Sequence, residues 1–178
     1  MQPVLSTLIA YSTSDGHTFK ICQLLQRLLE ESGHNVTLIS VQDGLVADCR
    51  VFDRIVIGAS IRYGKHHPSL YAFIARHRAV LVAGKSAFFS VNAVARNPDK
   101  ATQAGNPYFK KFVKQAGWSP QVAAVFGGKI DYAKYRFIDR QMIRLIMWVT
   151  NGPTALNEPV EFTDWTAVGT FALQIKSL

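Results

Sequence analysis

Cysteine is nearly absent. Cys22 and Cys49 are the two the chain has, with no CxxC and no His/Cys cluster. That speaks against a disulfide framework or a metal site, and Cys22 reads as a small apolar residue packed on a helix. No run of eighteen apolar residues occurs, so no membrane-spanning helix is expected. The opening MQPVLSTLIAYSTSDG has no basic region and only a short apolar run. It reads as a first strand rather than a signal peptide, and a cytoplasmic location is expected. Acidic residues are scarce, 12 against 20 Lys and Arg, for a formal net charge of +8. Such a surface attracts nucleic acid, anionic lipid, or carboxylate and phosphate ligands. The cations are scattered and no RNP, helix-turn-helix or zinc pattern occurs, so nucleic acid is not an expected partner. Neither GxGxxG nor GxxxxGK(S/T) is present, which argues against dinucleotide or Walker-type sites.

What the 178 residues do contain is alternation. Strand patterns run over Leu5 to Tyr11, Asn35 to Val41, Arg54 to Ser60, Ser86 to Val91 and Gln121 to Phe126. Between them lie helical patterns over His17 to Glu31, from Pro68 to about Val82, and from Pro107 to Gly117. Gly44 to Val51 reads as a poor helix, and Thr163 as the cap of a last helix from Asp164 to Lys176. Strands alternating with helices predict an α/β fold in one domain over 1–178: a doubly wound, five-stranded parallel sheet with helices on both faces. Apolar runs such as IVIGA suit strands buried on both sides. In such sheets ligands bind beyond the carboxyl ends of the strands, so the loops there carry the functional reading.

The first of these loops is Ser12-Thr13-Ser14-Asp15-Gly16-His17-Thr18. Its hydroxyls, its glycine and the helix start behind it make a phosphate cradle that needs no metal. An ordinary helix cap would need one hydroxyl, and this loop has four. Asp15 either turns away from a phosphate or caps helix N–H groups. STSDGHT resembles the flavodoxin phosphate loop, T/S-x-T-G-x-T, with Asp15 departing from the pattern. The resemblance implies a flavodoxin-like sheet of order 2-1-3-4-5, bound FMN, and two further loops gripping its ring. These are Ser60-Ile61-Arg62-Tyr63-Gly64, followed by Lys65, His66 and His67, and Asn92-Ala93-Val94-Ala95-Arg96. Gly127 and Gly128 after the fifth strand complete the cofactor-binding set. Tyr63 is either a stacking partner of the ring or a surface aromatic. His66 and His67 read as solvated residues before Pro68. Arg62, Arg96 and Lys129 are candidates for substrate carboxylates or anionic flavin, with general surface charge as the other reading of Lys129. His17 lies near the phosphate as a donor. No side chain stands out as a catalytic acid or base, since a flavin carries its own redox chemistry.

DRIVIGASIRYGKHH, SAFFSVNAVARNP, KYRFIDRQMIRLIMW and FTDW are together similar to the menaquinone-dependent protoporphyrinogen IX dehydrogenases, almost end to end. That likeness implies oxidation of protoporphyrinogen IX to protoporphyrin IX in haem biosynthesis, with a respiratory membrane quinone as acceptor.

Asp131 to Thr150 reads as an extra basic amphipathic helix after the fifth strand, with an apolar stripe of Ile138, Met142, Leu145, Ile146 and Val149. Arg140, Arg144 and Trp148 form a second row. Either the stripe is core packing and the arginines face water, or the helix meets a membrane surface or a broad apolar ligand. The second reading places the protein peripherally on the inner face of the membrane. Two rivals share the fold: an electron-carrier flavodoxin, which the basic charge disfavours, and an NAD(P)H:quinone reductase, for which no dinucleotide site is apparent.

Overall fold

The computed structural model describes residues 4–44, 47–155 and 158–178. The chain runs β1 (Ser6–Ser12), α1 (His17–Glu30), β2 (Asn35–Ser40), β3 (Arg54–Arg62), β4 (Lys65–His66), α2 (Pro68–Ala83), β5 (Lys85–Asn92), α3 (Pro107–Ala116), β6 (Val122–Gly127), β7 (Lys129–Ile130), α4 (Phe137–Val149), β8 (Val160–Glu161) and α5 (Trp165–Ser177). Five strands pair in parallel in the order β2-β1-β3-β5-β6. This is the order 2-1-3-4-5 expected from the sequence, once the two-residue β4 is set aside.

The central strands are buried on both sides because their sequences leave no polar face; six consecutive residues of β3 are buried. One face carries α1 and α5, whose Ile21, Leu25, Leu29, Phe171 and Ile175 meet Ile9, Val56 and Phe89. The other carries α2 and α3, with Leu70, Ile74, Phe109 and Phe112 against Leu8, Ile57 and Phe88. Phe88 and Phe112 stack at 3.8 Å. Cys22 is fully buried in the first of these layers, as the sequence suggested.

Four local expectations are corrected. Of the weak helix over Gly44 to Val51, residues 45–46 lie outside the described residues and Cys49–Val51 form one 3-10 turn, whose Arg50 N–H bonds the Asp48 carboxylate. The cap of α5 is Asp164, which accepts from the N–H groups of Thr166 and Ala167; the Thr163 hydroxyl instead donates to the Gly127 carbonyl. The helix expected over Asp131 to Thr150 begins only at Phe137, after a 3-10 turn at Tyr132–Lys134. His66 is not solvated: it sits 5% exposed in β4, which folds back on β3 through a two-residue turn.

Gly58, in the middle of β3, is required by close packing. A Cβ there would lie 2.2 Å from a carbon of the fully buried Phe89 ring. Gly58→Ala is therefore expected to destabilise the fold by about 3 kcal/mol, read as a lowered urea midpoint; an unchanged midpoint would mean that Phe89 has room to move.

Candidate functional site

The carboxyl ends of β1, β3, β5 and β6 open into a cavity of about 450 Å³. Ser14, Asp15 and His17 line it from the loop after β1. Ser60, Ile61, Arg62, Tyr63 and Gly64 come from the end of β3 and its turn, Asn92, Ala93 and Val94 from the end of β5, and Gly128 and Lys129 from beyond β6. The sequence had singled out all of these. The others it had named do not line the cavity. Ser12 and Thr18 are buried, Thr13 bonds Gln42 and Gly16, and Ala95 donates its N–H to Asn92 Oδ1. Gly127 pairs with Asn92 in the sheet.

Arg96, which the sequence offered for substrate, lies outside the cavity lining. Its guanidinium bonds the carbonyls of Ala93 at 3.1 Å and Thr150 at 2.7 Å, and the Thr150 hydroxyl at 2.8 Å. It holds the end of α4 to the loop after β5 and does not line the cavity. Arg62 does line it, yet its charge is engaged: it pairs with Asp139 of α4 at 2.9 Å and lies over the rings of Tyr63 and Tyr135. The Tyr63 hydroxyl, and then the Arg62 guanidinium, hold the Asp139 carboxyl below the usual carboxylate range.

The sequence offered α4 as a helix that meets a broad apolar ligand, but it did not single out Tyr108, Tyr135, Ile143 or Met147. Tyr108 and Tyr135 close the sides, while Met142, Ile143, Ile146 and Met147 of α4 cover the top. The apolar stripe on α4 is thus not core packing. Ile138, Leu145, Ile146 and Val149 are exposed, and Met147 is the buried residue of that helix. A signal was present in the sequence, since α4 carries more apolar residues than one buried face uses.

Backbone strain marks the turn between β3 and β4. Tyr63 has φ +50° and Gly64 φ +73°. Two successive positive φ values suit the twist of a two-residue hairpin, but a bulky residue is rare in the left-handed region. The turn holds Tyr63 at the cavity mouth, half exposed. Such strain gathers at functional sites.

At the first loop, Asp15 Oδ1 accepts the His17 N–H at 3.2 Å and Thr13 Oγ1 accepts that of Gly16 at 3.0 Å. Asp15 thus caps, as one of its two readings held. The first bond of the α1 ladder is Lys20 N–H to Gly16 O, which leaves Thr18 and Phe19 N–H groups ahead of it. The Ser12 and Thr18 hydroxyls are buried and, among the described residues, have no partner. His17 Nε2 lies 2.6 Å from Thr163 Oγ1. The Thr163 hydrogen is committed to the Gly127 carbonyl, so His17 donates from Nε2. Burial lowers the His17 pKa, against the opposing pull of Glu161.

In β4, His66 Nε2 meets Ser90 Oγ at 3.1 Å and Nδ1 meets the Tyr71 hydroxyl at 3.4 Å. Burial lowers its pKa to about 4. The unfolded chain takes up this proton near pH 6.5 and the folded chain near pH 4, so the contribution is intact above about pH 6.5 and is lost as the pH falls towards 4. The loss reaches about 3 kcal/mol at most. His66→Gln should remove that part of the pH dependence of urea unfolding; parallel profiles for both proteins would show that His66 is not held neutral.

Among the described residues no cluster of His, Cys, Asp or Glu could hold a metal ion, and no helix is long and apolar enough to cross a membrane.

A family profile described as "Flavodoxin domain" matches residues 8–157. A protoporphyrinogen IX dehydrogenase (quinone) of Escherichia coli is 41% identical over 98% of this chain and 96% of its own. One from Leishmania major is 40% identical over 96% of this chain and 74% of its own. Among solved structures, the two-electron reduced flavodoxin of Megasphaera elsdenii superposes with a TM-score of 0.53 at 14% identity, over 67% of this chain and 84% of that one. The rubredoxin oxygen:oxidoreductase of Desulfovibrio gigas gives 0.53 at 11% identity, over 98% of this chain and 37% of the other. The structural likenesses speak to the fold alone.

Proposed function

The chain belongs to the flavodoxin domain family, and from that premise we propose that it is an FMN-dependent oxidoreductase that converts protoporphyrinogen IX to protoporphyrin IX and passes the electrons to a membrane quinone. The observation that carries this reading is the 41% identity to a protoporphyrinogen IX dehydrogenase (quinone) over 98% of the chain. The fold alone would serve an electron carrier equally well.

The residues present fit FMN. The buried, unpartnered hydroxyls of Ser12 and Thr18 stand behind the first loop, where a phosphate supplies the missing acceptors. Thr18 and Phe19 N–H groups at the start of α1 add donors and the positive end of a helix dipole. The loop residues Ser12 to Thr18 are assigned to the phosphate end. Ser60 to Gly64, Asn92 to Val94 and Gly128 are assigned to the ring, with Tyr63 as the aromatic that flanks it. Bound there, FMN supplies the redox chemistry. The chain orients the ring and excludes water with Met142, Ile143, Ile146 and Met147. The Asp139 carboxylate keeps the Arg62 charge turned towards α4 rather than free in the cavity.

We assign α4 a second task, peripheral contact with the inner face of the membrane in which the quinone resides. Phe137, Leu145, Trp148 and Val149 are exposed on it, and Arg136 and Arg144 are exposed beside them. Apolar residues with Trp, rimmed by arginine, suit the lipid interface.

Thr18→Val separates two effects of one hydroxyl. Stability without FMN should hold or rise, because a buried unsatisfied group is removed, while FMN affinity falls about tenfold. Flavin fluorescence titration and urea unfolding read the two; equal FMN affinity would take Thr18 out of the phosphate site.

The activity itself is tested on FMN-loaded protein under anaerobic conditions. Protoporphyrinogen IX should bleach the flavin bands, and a menaquinone in anionic vesicles should restore them as porphyrin fluorescence grows. A yellow protein that ignores the porphyrinogen would leave the carrier or NAD(P)H:quinone reductase reading.

A further inference from the structure

A second cavity of about 410 Å³ lies on the far side of the Tyr63–Gly64 turn. It shares Ile61, Gly64 and Tyr108 with the first, so the two are neighbours across a thin wall. A Cβ at Gly64 would stand 3.8 Å from the Tyr108 ring, so the glycine and the tyrosine meet where the two cavities adjoin. The chemistry of the two cavities differs. The first is roofed with methionine and isoleucine and includes Asp15. The second is lined by Lys65 of β4 and Lys111 of α3, with Gln115, Tyr108, Tyr71 and the buried His66 beside them. Its described walls hold no Asp or Glu. Among the described residues neither lysine forms an ion pair. Of the cations the sequence offered for substrate, Arg62 is paired with Asp139 and Arg96 is bonded to Thr150, while Lys129 shares a recess with Asp15 and Asp131 as well as Lys20 and Lys134.

An acid-free cavity with two unpaired ammonium groups and apolar lining residues such as Ile61 and Pro68 fits the carboxylate end of an otherwise apolar molecule. We propose that this cavity is the docking site for the carboxylate-bearing edge of the substrate, with Lys65 and Lys111 as its cation partners. The proposal rests on the function given above, because protoporphyrinogen IX is a broad apolar ring with two propionates. The macrocycle then lies across the Gly64–Tyr108 wall towards the first cavity, and the carboxylates set which edge of the ring faces the flavin site. Two lysines, being separate point charges on flexible stems, can follow two propionates without demanding a single planar geometry.

The test uses FMN-loaded protein, with protoporphyrin IX and its dimethyl ester as probes and fluorescence as the binding readout. The free acid should bind about tenfold or more tighter than the ester. The double variant Lys65→Gln, Lys111→Gln should lose that preference and keep its ester affinity and FMN affinity. Lys114→Gln, an exposed lysine on the same helix outside the cavity, should behave as the unaltered protein. In turnover the double variant should lower kcat/KM for protoporphyrinogen IX about tenfold or more. A double variant that still prefers the free acid overturns the site while leaving the function in place. An unaltered protein that binds neither probe and leaves protoporphyrinogen IX unoxidised overturns the function, and the docking site with it.

Discussion

Asn92 is 3% exposed and ends the strand that runs into the site. A buried amide that deep must satisfy both of its ends. Asn92 does so by holding the surrounding loops. Its Oδ1 accepts from Ala95 N–H and from Asn106 Nδ2, at 3.1 Å each, and its Nδ2 reaches Ser90 Oγ at 3.4 Å. Its carbonyl accepts the Gly128 N–H at 3.2 Å. Ser90 in turn meets His66 of the β3–β4 hairpin, and Asn106 caps α3 by accepting from Tyr108 and Phe109. One chain of buried polar groups thus fixes the hairpin with Tyr63, the loop after β5, the glycine after β6 and the helix that carries Tyr108. All four border the cavity. The sheet supplies the platform; this network decides how far apart its loops stand. Such networks stabilise only when every member is satisfied, which explains why a neutral His66 belongs in it.

The strands and most helices were legible because their signals are local: apolar runs of strand length, helical spacing, Pro68 and Pro107 at helix starts, and Gly117 just past a helix end. The strand order followed from the flavodoxin-like motifs rather than from periodicity. What stayed hidden depended on partners distant in sequence. Nothing around Tyr63–Gly64 resembles an Asn-Gly turn, so the β3–β4 hairpin went unread, and with it the burial of His66, which rests on Ser90 and Tyr71. Thr163 looked like a cap, as Ser and Thr before a helix usually are. It is drawn off to Gly127 and His17, and Asp164 takes its place.

The amphipathic pattern of α4 was visible, but its meaning was not. Periodicity reports that a helix has an apolar side; it cannot say whether that side meets the core, a ligand or lipid. In the structure the answer is divided. Met147 anchors the helix beside Ile130 and Tyr132, Met142 and Ile143 face the cavity, and Leu145 and Trp148 face outward. The anchoring of α4 is mostly polar. Arg62 grips Asp139 near its start and Arg96 grips Thr150 at its end. A roof held by two guanidinium contacts and one buried methionine leaves its remaining apolar surface for something other than the core.

The difference between arginine and lysine organises the site's charge. Both types were plausible anion binders from sequence, and Arg62 and Arg96 were attractive for their forked geometry. That same geometry recruits them inside the protein. Guanidinium groups are weakly hydrated and carry several fixed donors, so they settle into multiple contacts with carbonyls, carboxylates and aromatic faces. Arg96 makes three such bonds, and Arg62 combines an ion pair with two tyrosine rings. Lysine ammonium groups are strongly hydrated and hold no fixed fork, so they remain at cavity margins in water, as Lys65 and Lys111 do. An arriving carboxylate must displace water from a lysine, whereas it must displace the protein itself from either arginine. The net charge of +8 therefore overstates what a ligand meets. The arginines nearest the cavity hold its walls together, and the charge open to an anion is that of the lysines beside it.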